Sequence, residues 1–130
     1  MGTVGRVADG MSDLILSSTT RGVTTLTMNH PRKLNGWTQE MMEALVAAFA
    51  DARDDRATSV VVLTGSDPYY SAGVNLSGTI QLTHPRVLRD TIVERNQALF
   101  DLFLDFDKPL LAAVNRPAIG STVTSATLCD

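Results

Sequence analysis

The sequence has a single cysteine, no long apolar run and no excess of positive charge. Cys129 alone cannot form an internal disulfide, and its isolation is typical of a reducing compartment. Eleven Lys and Arg against fourteen Asp and Glu give a net charge of −3, without a basic stripe, which argues against a nucleic-acid partner. No apolar run approaches the roughly 20 residues that cross a bilayer, so no membrane span is predicted.

The two histidines, His30 and His84, lie far apart, so no metal site of the usual type is expected. An apolar share of 44% and a charged share of 19% over 130 residues are typical of one soluble globular domain. Residues 1–12 are polar and glycine-rich and are predicted to be a flexible N-terminus. We therefore place a single domain at residues 13–130.

Hydrophobic spacing predicts strands alternating with helices. In chain order we expect a hairpin of strands 14–17 and 23–28, a helix from Thr38, a strand 59–63, a helix 86–106, a strand 110–114 and a helix start at 120–122. The 59–63 strand is continuously apolar, which predicts that both sheet faces are covered. This order indicates an α/β fold with parallel strands. Because the last helix is so short before Asp130, we interpret the domain as truncated.

Small residues follow two of the predicted strands. Ser71, Ala72 and Gly73 come after the first strand, and Gly120 and Ser121 come after the second. Loops that leave parallel strands meet at the carboxyl edge of a sheet, where α/β proteins bind ligands. Two backbone N–H groups from such loops can form an oxyanion hole, although the same spacing also occurs in ordinary turns.

Three segments resemble the enoyl-CoA hydratase/isomerase (crotonase) superfamily, in particular its peroxisomal Δ3,Δ2-enoyl-CoA isomerases: LNGWTQEMMEAL, VVVLTGSDPYYSAGVNL and FDLFLDFDKPLLAAVNRPAIGSTVT. The resemblance covers residues 14–130, but only about the N-terminal half of the family's catalytic domain. It implies a crotonase-type ββα spiral, truncated, acting on unsaturated fatty acyl-CoA in β-oxidation. It also implies no separate cofactor (coenzyme A is part of the substrate) and a peroxisomal or mitochondrial location. Members of the family form homo-oligomers, but the resemblance does not extend this state to a truncated chain.

The same resemblance implies roles for individual residues. Backbone N–H groups of Ala72 and Ser121 would form the oxyanion hole for the thioester carbonyl. Lys33 would contact a phosphate of coenzyme A, although a solvated loop lysine explains it equally well. The remaining acyl-CoA site would be lined by Ser71, Ala72, Gly73, Val74, Asn75 and Gly120.

Shifting a double bond from position 3 to position 2 also needs a base that moves a proton. Thr124 stands where hydratases of the family carry a glutamate, and the isomerase glutamate comes from a region that this sequence does not contain. The available carboxylates are predicted to lie on a solvated helix face: Asp90, Glu94, Asp101, Asp105 and Asp107. We therefore expect this chain alone to be inactive or nearly so. The alternatives are a non-catalytic acyl-CoA-binding or interaction module, or an incomplete product that folds poorly.

Two positions depart from the family pattern. Arg116 replaces a glycine and is expected to strain the turn or shift Ser121, while Asn75 replaces a frequent aspartate. Other notable side chains are interpreted as packing groups. These are Tyr69 and Tyr70 under the loop, Trp37 at the helix entry and Cys129 as a small buried apolar residue.

Overall fold

The computed structural model describes residues 14–74 and 83–130. Strands β1 (Ile15–Thr20) and β2 (Val23–Met28) form an antiparallel hairpin, closed by Arg21 and Gly22, which both have positive φ angles. Two residues with positive φ give a turn whose twist matches that of the flanking strands. The hairpin prediction is confirmed, and β1 extends three residues beyond the predicted strand end at residue 17.

Two crossovers then extend the sheet. Helix α1 (Gln39–Asp54) leads to strand β3 (Val60–Gly65), and helix α2 (Pro85–Leu104) leads to strand β4 (Leu110–Ala112). The strand order is β1-β2-β3-β4, with β2, β3 and β4 mutually parallel. Helix α3 (Ser121–Thr127) follows β4. This arrangement confirms the predicted α/β layout; β4 is two residues shorter than expected.

Helix α1 has clear start and packing signals. The Thr38 side chain accepts a hydrogen bond from the Met41 N–H at 3.1 Å, as an N-cap residue does. Its buried residues repeat at helical spacing and face the sheet: Met41, Ala44, Leu45, Phe49 and Ala52. Lys108, just before β4, donates to the carbonyl oxygens of Ala52 and Asp55, both at 2.8 Å, and so satisfies the C-terminal end of this helix.

An aromatic cluster joins the two long helices to the sheet. Phe103 of α2 lies edge-on to Phe49, with 5.2 Å between the ring centroids. It also stacks on Trp37, with 6.2 Å between the ring centroids. Trp37 is completely buried, which confirms its predicted packing role. The Trp37 Nε1–H donates to the Met28 sulfur at 3.3 Å. This hydrogen bond joins the residue just before α1 to the last residue of β2.

The sheet is covered unevenly by the described residues. Val61 and Leu63 of β3 are fully buried, but Val60 and Val62 on the opposite face are only partly buried. The expectation that both faces of β3 are covered is therefore wrong for the described part of the chain, because α1 packs against the sheet and α2 packs against α1. Beyond β3, apolar side chains of β4, its following loop and α3 are exposed: Leu111, Val114, Ile119 and Val123.

Candidate functional site

Three loops leave the carboxyl ends of parallel strands and meet there. We call them the β2 loop (residues 29–38), the β3 loop (66–74, as far as it is described) and the β4 loop (113–120). Isolated parallel bridges pair Trp37 with Val74 and Ser71 with Ala118. The β3 loop is thus held between the other two, at the sheet edge where α/β folds bind ligands.

Asn35 ties the β2 loop to the β3 loop. Its side-chain amide donates to the carbonyl oxygens of Ser66 and Tyr69, each at 2.7 Å. Its Oδ1 accepts the His30 N–H at 2.7 Å. The residue is fully buried, so these bonds form away from bulk water and strongly constrain both loops.

The β3 and β4 loops are joined mainly through their backbones. The Tyr70 N–H donates to the Pro117 carbonyl at 3.1 Å, and the Ile119 N–H donates to the Ser71 carbonyl at 3.0 Å. A Cβ atom on Gly73 would lie 2.6 Å from the Ile119 oxygen, and the φ angle of Gly73 is +87°. Both constraints require glycine there, so the predicted close approach of small-residue loops is present.

The hydrogen bonds of the β3 loop decide which of its N–H groups are free. The Ala72 N–H donates to the Leu34 carbonyl at 3.0 Å, so the prediction that it would face a thioester oxygen is wrong for this conformation. The Gly73 N–H donates to the Ser71 Oγ at 3.2 Å. Within the described residues the Val74 N–H has no acceptor. Val74, which is partly exposed, therefore has an N–H that is available to a ligand.

The second predicted donor lies at the start of α3. The Ser121 N–H belongs to the first turn, where backbone donors have no acceptor inside the helix, and no described residue accepts from it. Gly120 precedes it with a φ of +65°, is exposed, and has no atom within 4 Å of a Cβ position. The structure thus leaves the Ser121 N–H open beside the β3 loop, while its role stays a prediction.

The other predicted lining residues differ in access. Ser71 is fully buried and its hydroxyl donates to the Asn35 carbonyl at 2.6 Å, so the prediction that Ser71 lines the ligand site is wrong. Lys33 is exposed in a short 3-10 helix of the β2 loop (Pro31–Lys33), and its contact with a phosphate of coenzyme A stays a prediction. Asn75 lies outside the described residues. Thr124 is exposed on α3, so its position is open but carries no carboxylate.

Arg116 sits in the β4 loop without the expected strain. The φ angle of Arg116 is not positive. Among the described residues, the non-glycine residues with a positive φ are Arg21, Leu34 and Asn35. Its side chain donates to the Asp67 carboxylate at 2.7 Å and so joins the β4 loop to the β3 loop. Both side chains are mostly exposed, so we expect this ion pair to contribute little stability.

The interpretation of Tyr70 as a packing residue is confirmed by its complete burial, while Tyr69 is partly exposed. The Tyr70 hydroxyl has no hydrogen-bond partner among the described residues. Burial raises the pKa of Tyr70, and the nearby Cys129 raises it further. Cys129 is only partly buried, and its thiol lies 3.5 Å from the Ser125 carbonyl.

The α2 carboxylates are all exposed, as predicted. Within residues 14–74 and 83–130, no three His, Cys, Asp or Glu side chains are grouped as metal ligands would be. In the same part of the chain, no helix combines the length and apolar character that crossing a membrane requires.

Sequence reasoning missed Asn35, which organises the site. The signal was available in the Leu34-Asn35-Gly36 sequence of the β2 loop, because asparagine tolerates left-handed backbone and often bonds to nearby main-chain groups. It missed Val74 as a donor for another reason. The direction of each N–H depends on which neighbouring loop accepts it, and strand patterns do not contain that information.

The arrangement matches known proteins in both sequence and structure. The enoyl-CoA hydratase/isomerase family model matches residues 18–130. The mouse protein named enoyl-CoA delta isomerase 3, peroxisomal, is 34% identical over 125 residues, covering 89% of this chain and 37% of its own. The Escherichia coli protein named 2,3-dehydroadipyl-CoA hydratase is 35% identical over 120 residues, covering 92% of this chain and 45% of that protein.

A solved structure shows the same fold. It is an enoyl-CoA hydratase/isomerase from Xanthobacter autotrophicus Py2, with a TM-score of 0.82 at 26% identity, covering 90% of this chain and 44% of that one. The predicted crotonase-type α/β fold is thereby confirmed, and the chain spans less than half the length of these relatives. The chain belongs to the enoyl-CoA hydratase/isomerase (crotonase) family.

Proposed function

We propose that this chain contributes an acyl-CoA site in which the N–H groups of Val74 and Ser121 polarise the thioester carbonyl. The observation that supports this is the contact of the β3 and β4 loops at Gly73 and Ile119, with an unengaged N–H on each side. Two preorganised donors stabilise the negative charge that develops on the carbonyl oxygen when the α proton is removed. Small residues leave the backbone accessible to the thioester.

Within the family we propose the isomerase branch, acting on unsaturated fatty acyl-CoA as a Δ3,Δ2-enoyl-CoA isomerase of fatty acid β-oxidation. Thr124 at the position of the hydratase glutamate supports this choice, as does the similarity to proteins named enoyl-CoA delta isomerases. The similarity to a protein named as a hydratase is of the same degree, so the residue at position 124 carries the distinction.

We further propose that the base does not come from the described residues. Asp67, the carboxylate within the β3 loop, is bonded to Arg116, and the carboxylates of α2 are exposed on that helix. A single carboxylate placed near both the α and γ carbons would have to carry the proton. We therefore expect the 130-residue chain to bind acyl-CoA but to turn over 3-enoyl-CoA poorly.

A binding and turnover experiment tests the proposal. Isothermal titration with a saturated acyl-CoA should give measurable affinity, and a Ser121→Pro variant, which removes one N–H donor, should bind more weakly. Proline fits the first position of a helix, so the fold should survive this change. Turnover of 3-enoyl-CoA at a rate comparable to that of the longer relatives would contradict the absence of a base. No acyl-CoA binding would contradict the site itself.

A second candidate function is a non-catalytic acyl-CoA-binding or interaction module. The observation that favours it is again Thr124, which cannot transfer a proton as a carboxylate does. Binding of acyl-CoA without turnover in the longest natural form of the protein would support this function over the isomerase.

We extend two properties from relatives as proposals. The mouse protein's name places it in peroxisomes, which supports a peroxisomal location here over the mitochondrial alternative. The second is a homo-oligomer, the state that members of the family form. Fluorescence microscopy of the tagged protein and analytical ultracentrifugation test these two points.

A further inference from the structure

Asn35 uses every polar group it has within the protein. Its N–H donates to the His30 carbonyl at 3.0 Å, and its own carbonyl accepts the Ser71 hydroxyl at 2.6 Å. Its side chain donates to two carbonyls of the β3 loop and accepts the His30 N–H. A buried polar residue that is fully satisfied in this way specifies one arrangement of its partners.

The position favours asparagine over its closest substitutes. The φ angle of Asn35 is +52°, a left-handed conformation that asparagine adopts more readily than most residues. Aspartate has the same shape but would place a carboxylate against the Ser66 and Tyr69 carbonyl oxygens, where the amide now donates. Alanine would leave those carbonyls without their donor.

Ser71 extends this constraint to Gly73 and Val74, at the end of the described part of the β3 loop. Its hydroxyl donates to the Asn35 carbonyl and accepts the Gly73 N–H at 3.2 Å. With the Gly73 N–H held and the Gly73 carbonyl bonded to the Trp37 N–H at 2.8 Å, both polar groups of Gly73 are held by the protein. The peptide plane that carries the Val74 N–H is therefore fixed through the Gly73 carbonyl.

We propose that Asn35 and Ser71 are positioning residues that orient the Val74 N–H without touching the substrate. The inference rests on the proposed function for its catalytic meaning, but the ordering of the loop is a property of the protein without ligand. Both side chains are fully buried, which separates their role from that of a binding residue.

The ligand-free test compares two serine-to-alanine variants. Ser71→Ala removes the hydroxyl between Asn35 and Gly73. Ser125→Ala removes an equally buried hydroxyl that bonds only within α3, to the Thr122 carbonyl at 3.0 Å. Amide hydrogen exchange by NMR should be roughly tenfold faster at Gly73 in Ser71→Ala, the factor expected for one lost hydrogen bond, with lower order parameters at Gly73 and Val74. Equal loop order in both variants would overturn the proposal.

The ligand test measures the carbonyl itself. Isotope-edited infrared spectroscopy of a bound acyl-CoA labelled at its thioester carbonyl should show a lowered stretching frequency in the natural protein, and a smaller lowering in Ser71→Ala. Affinity for free coenzyme A, which lacks that carbonyl, should stay within about twofold, because neither residue contacts the ligand. If Ser71→Ala lost affinity for acyl-CoA and for free coenzyme A to the same extent, a positioning role would be overturned.

The two proposals fail separately in these experiments. If the natural protein does not shift the carbonyl, the proposed oxyanion hole is wrong, while loop order in Ser71→Ala still decides the positioning role. Asn35→Asp serves as the second variant and should loosen the same residues more strongly. If it does not fold, Ser71→Ala alone decides the outcome, because that variant leaves the Asn35 side-chain bonds to Ser66 and Tyr69 intact.

Discussion

Tyr70 carries a hydroxyl that the fold buries without a hydrogen-bond partner among the described residues. Burying an unpaired hydroxyl costs about 1–3 kcal/mol, so removing it should not destabilise the protein. We expect Tyr70→Phe to raise the free energy of unfolding by about 1 kcal/mol in urea denaturation. Tyr69→Phe, at a partly exposed ring, is the control and should change it little. A clear loss of stability in Tyr70→Phe would reveal a partner for this hydroxyl.

Cys129 is expected to react slowly with alkylating reagents. Burial, and then the neighbouring Asp130, raises the pKa of Cys129 from 9.0 to about 11, which leaves about a hundredfold less thiolate at pH 8. The rate of iodoacetamide modification should therefore keep rising with pH through 10 in the folded protein. In urea it should level off above pH 9. A folded-state rate that levels off near pH 9 would show an ordinary, accessible thiol.

Single residues also mark where sequence reasoning reached its limit. The helix start at Ser121 was predicted correctly, because a glycine before a helix is a local pattern, and the donor role of its N–H stays a prediction. The prediction that the Ala72 N–H is an open donor was wrong, and the open N–H of Val74 was missed. Both errors arise because the Leu34 carbonyl that accepts the Ala72 N–H comes from a different loop. The roles of Asn35 and Ser71 depend on contacts across 31 to 36 positions of the chain.

Among the elements, α1 depends on its N-cap. Thr38 lies one residue after Trp37, so the start of this helix also fixes the ring that packs on Phe103. Thr38→Ala should lower the free energy of unfolding by about 1 kcal/mol, and Thr38→Ser, which retains the hydroxyl, should restore most of it. Urea denaturation followed by circular dichroism measures both. Equal stability of the two variants would show that the cap bond contributes nothing.

The elements themselves were largely predictable, because β3 and α1 carry clear patterns of length and period. Their ends were less so. The predicted end of α2 at residue 106 lies two residues beyond Leu104, since the Asp105 N–H makes the last helical bond, to the Asp101 carbonyl. The coverage of β3 was mistaken because a run of valines does not reveal which neighbouring elements are present.

At the scale of the whole molecule, Gly73 is a point of contact between the β3 loop and the β4 loop. Gly73→Ala would place a Cβ 2.6 Å from the Ile119 oxygen and force an alanine into a φ of +87°. We expect a loss of about 2 kcal/mol or more in stability together with lost acyl-CoA affinity. Gly120→Ala is the matched control, since its φ is also positive but no atom lies within 4 Å.

Gly120→Ala should therefore cost only about 1 kcal/mol of backbone strain. Differential scanning calorimetry compares the stability of the two variants. Acyl-CoA titration is used for Gly73→Ala alone, because Gly120 is itself a predicted lining residue. Similar losses in both variants would mean that backbone conformation alone, and not contact between the loops, makes Gly73 necessary.

The three-loop junction also bears on the time course of folding. Asn35 must find carbonyls more than thirty positions away, and Ile119 must find Ser71 across forty-eight, whereas the β1–β2 hairpin pairs neighbours. Contacts between distant positions form slowly, because the chain between them must close first. A refolding chain should accordingly regain its hairpin early and the proposed oxyanion hole last. Recovered carbonyl polarisation would then report complete folding of both crossovers, more stringently than recovered secondary structure does.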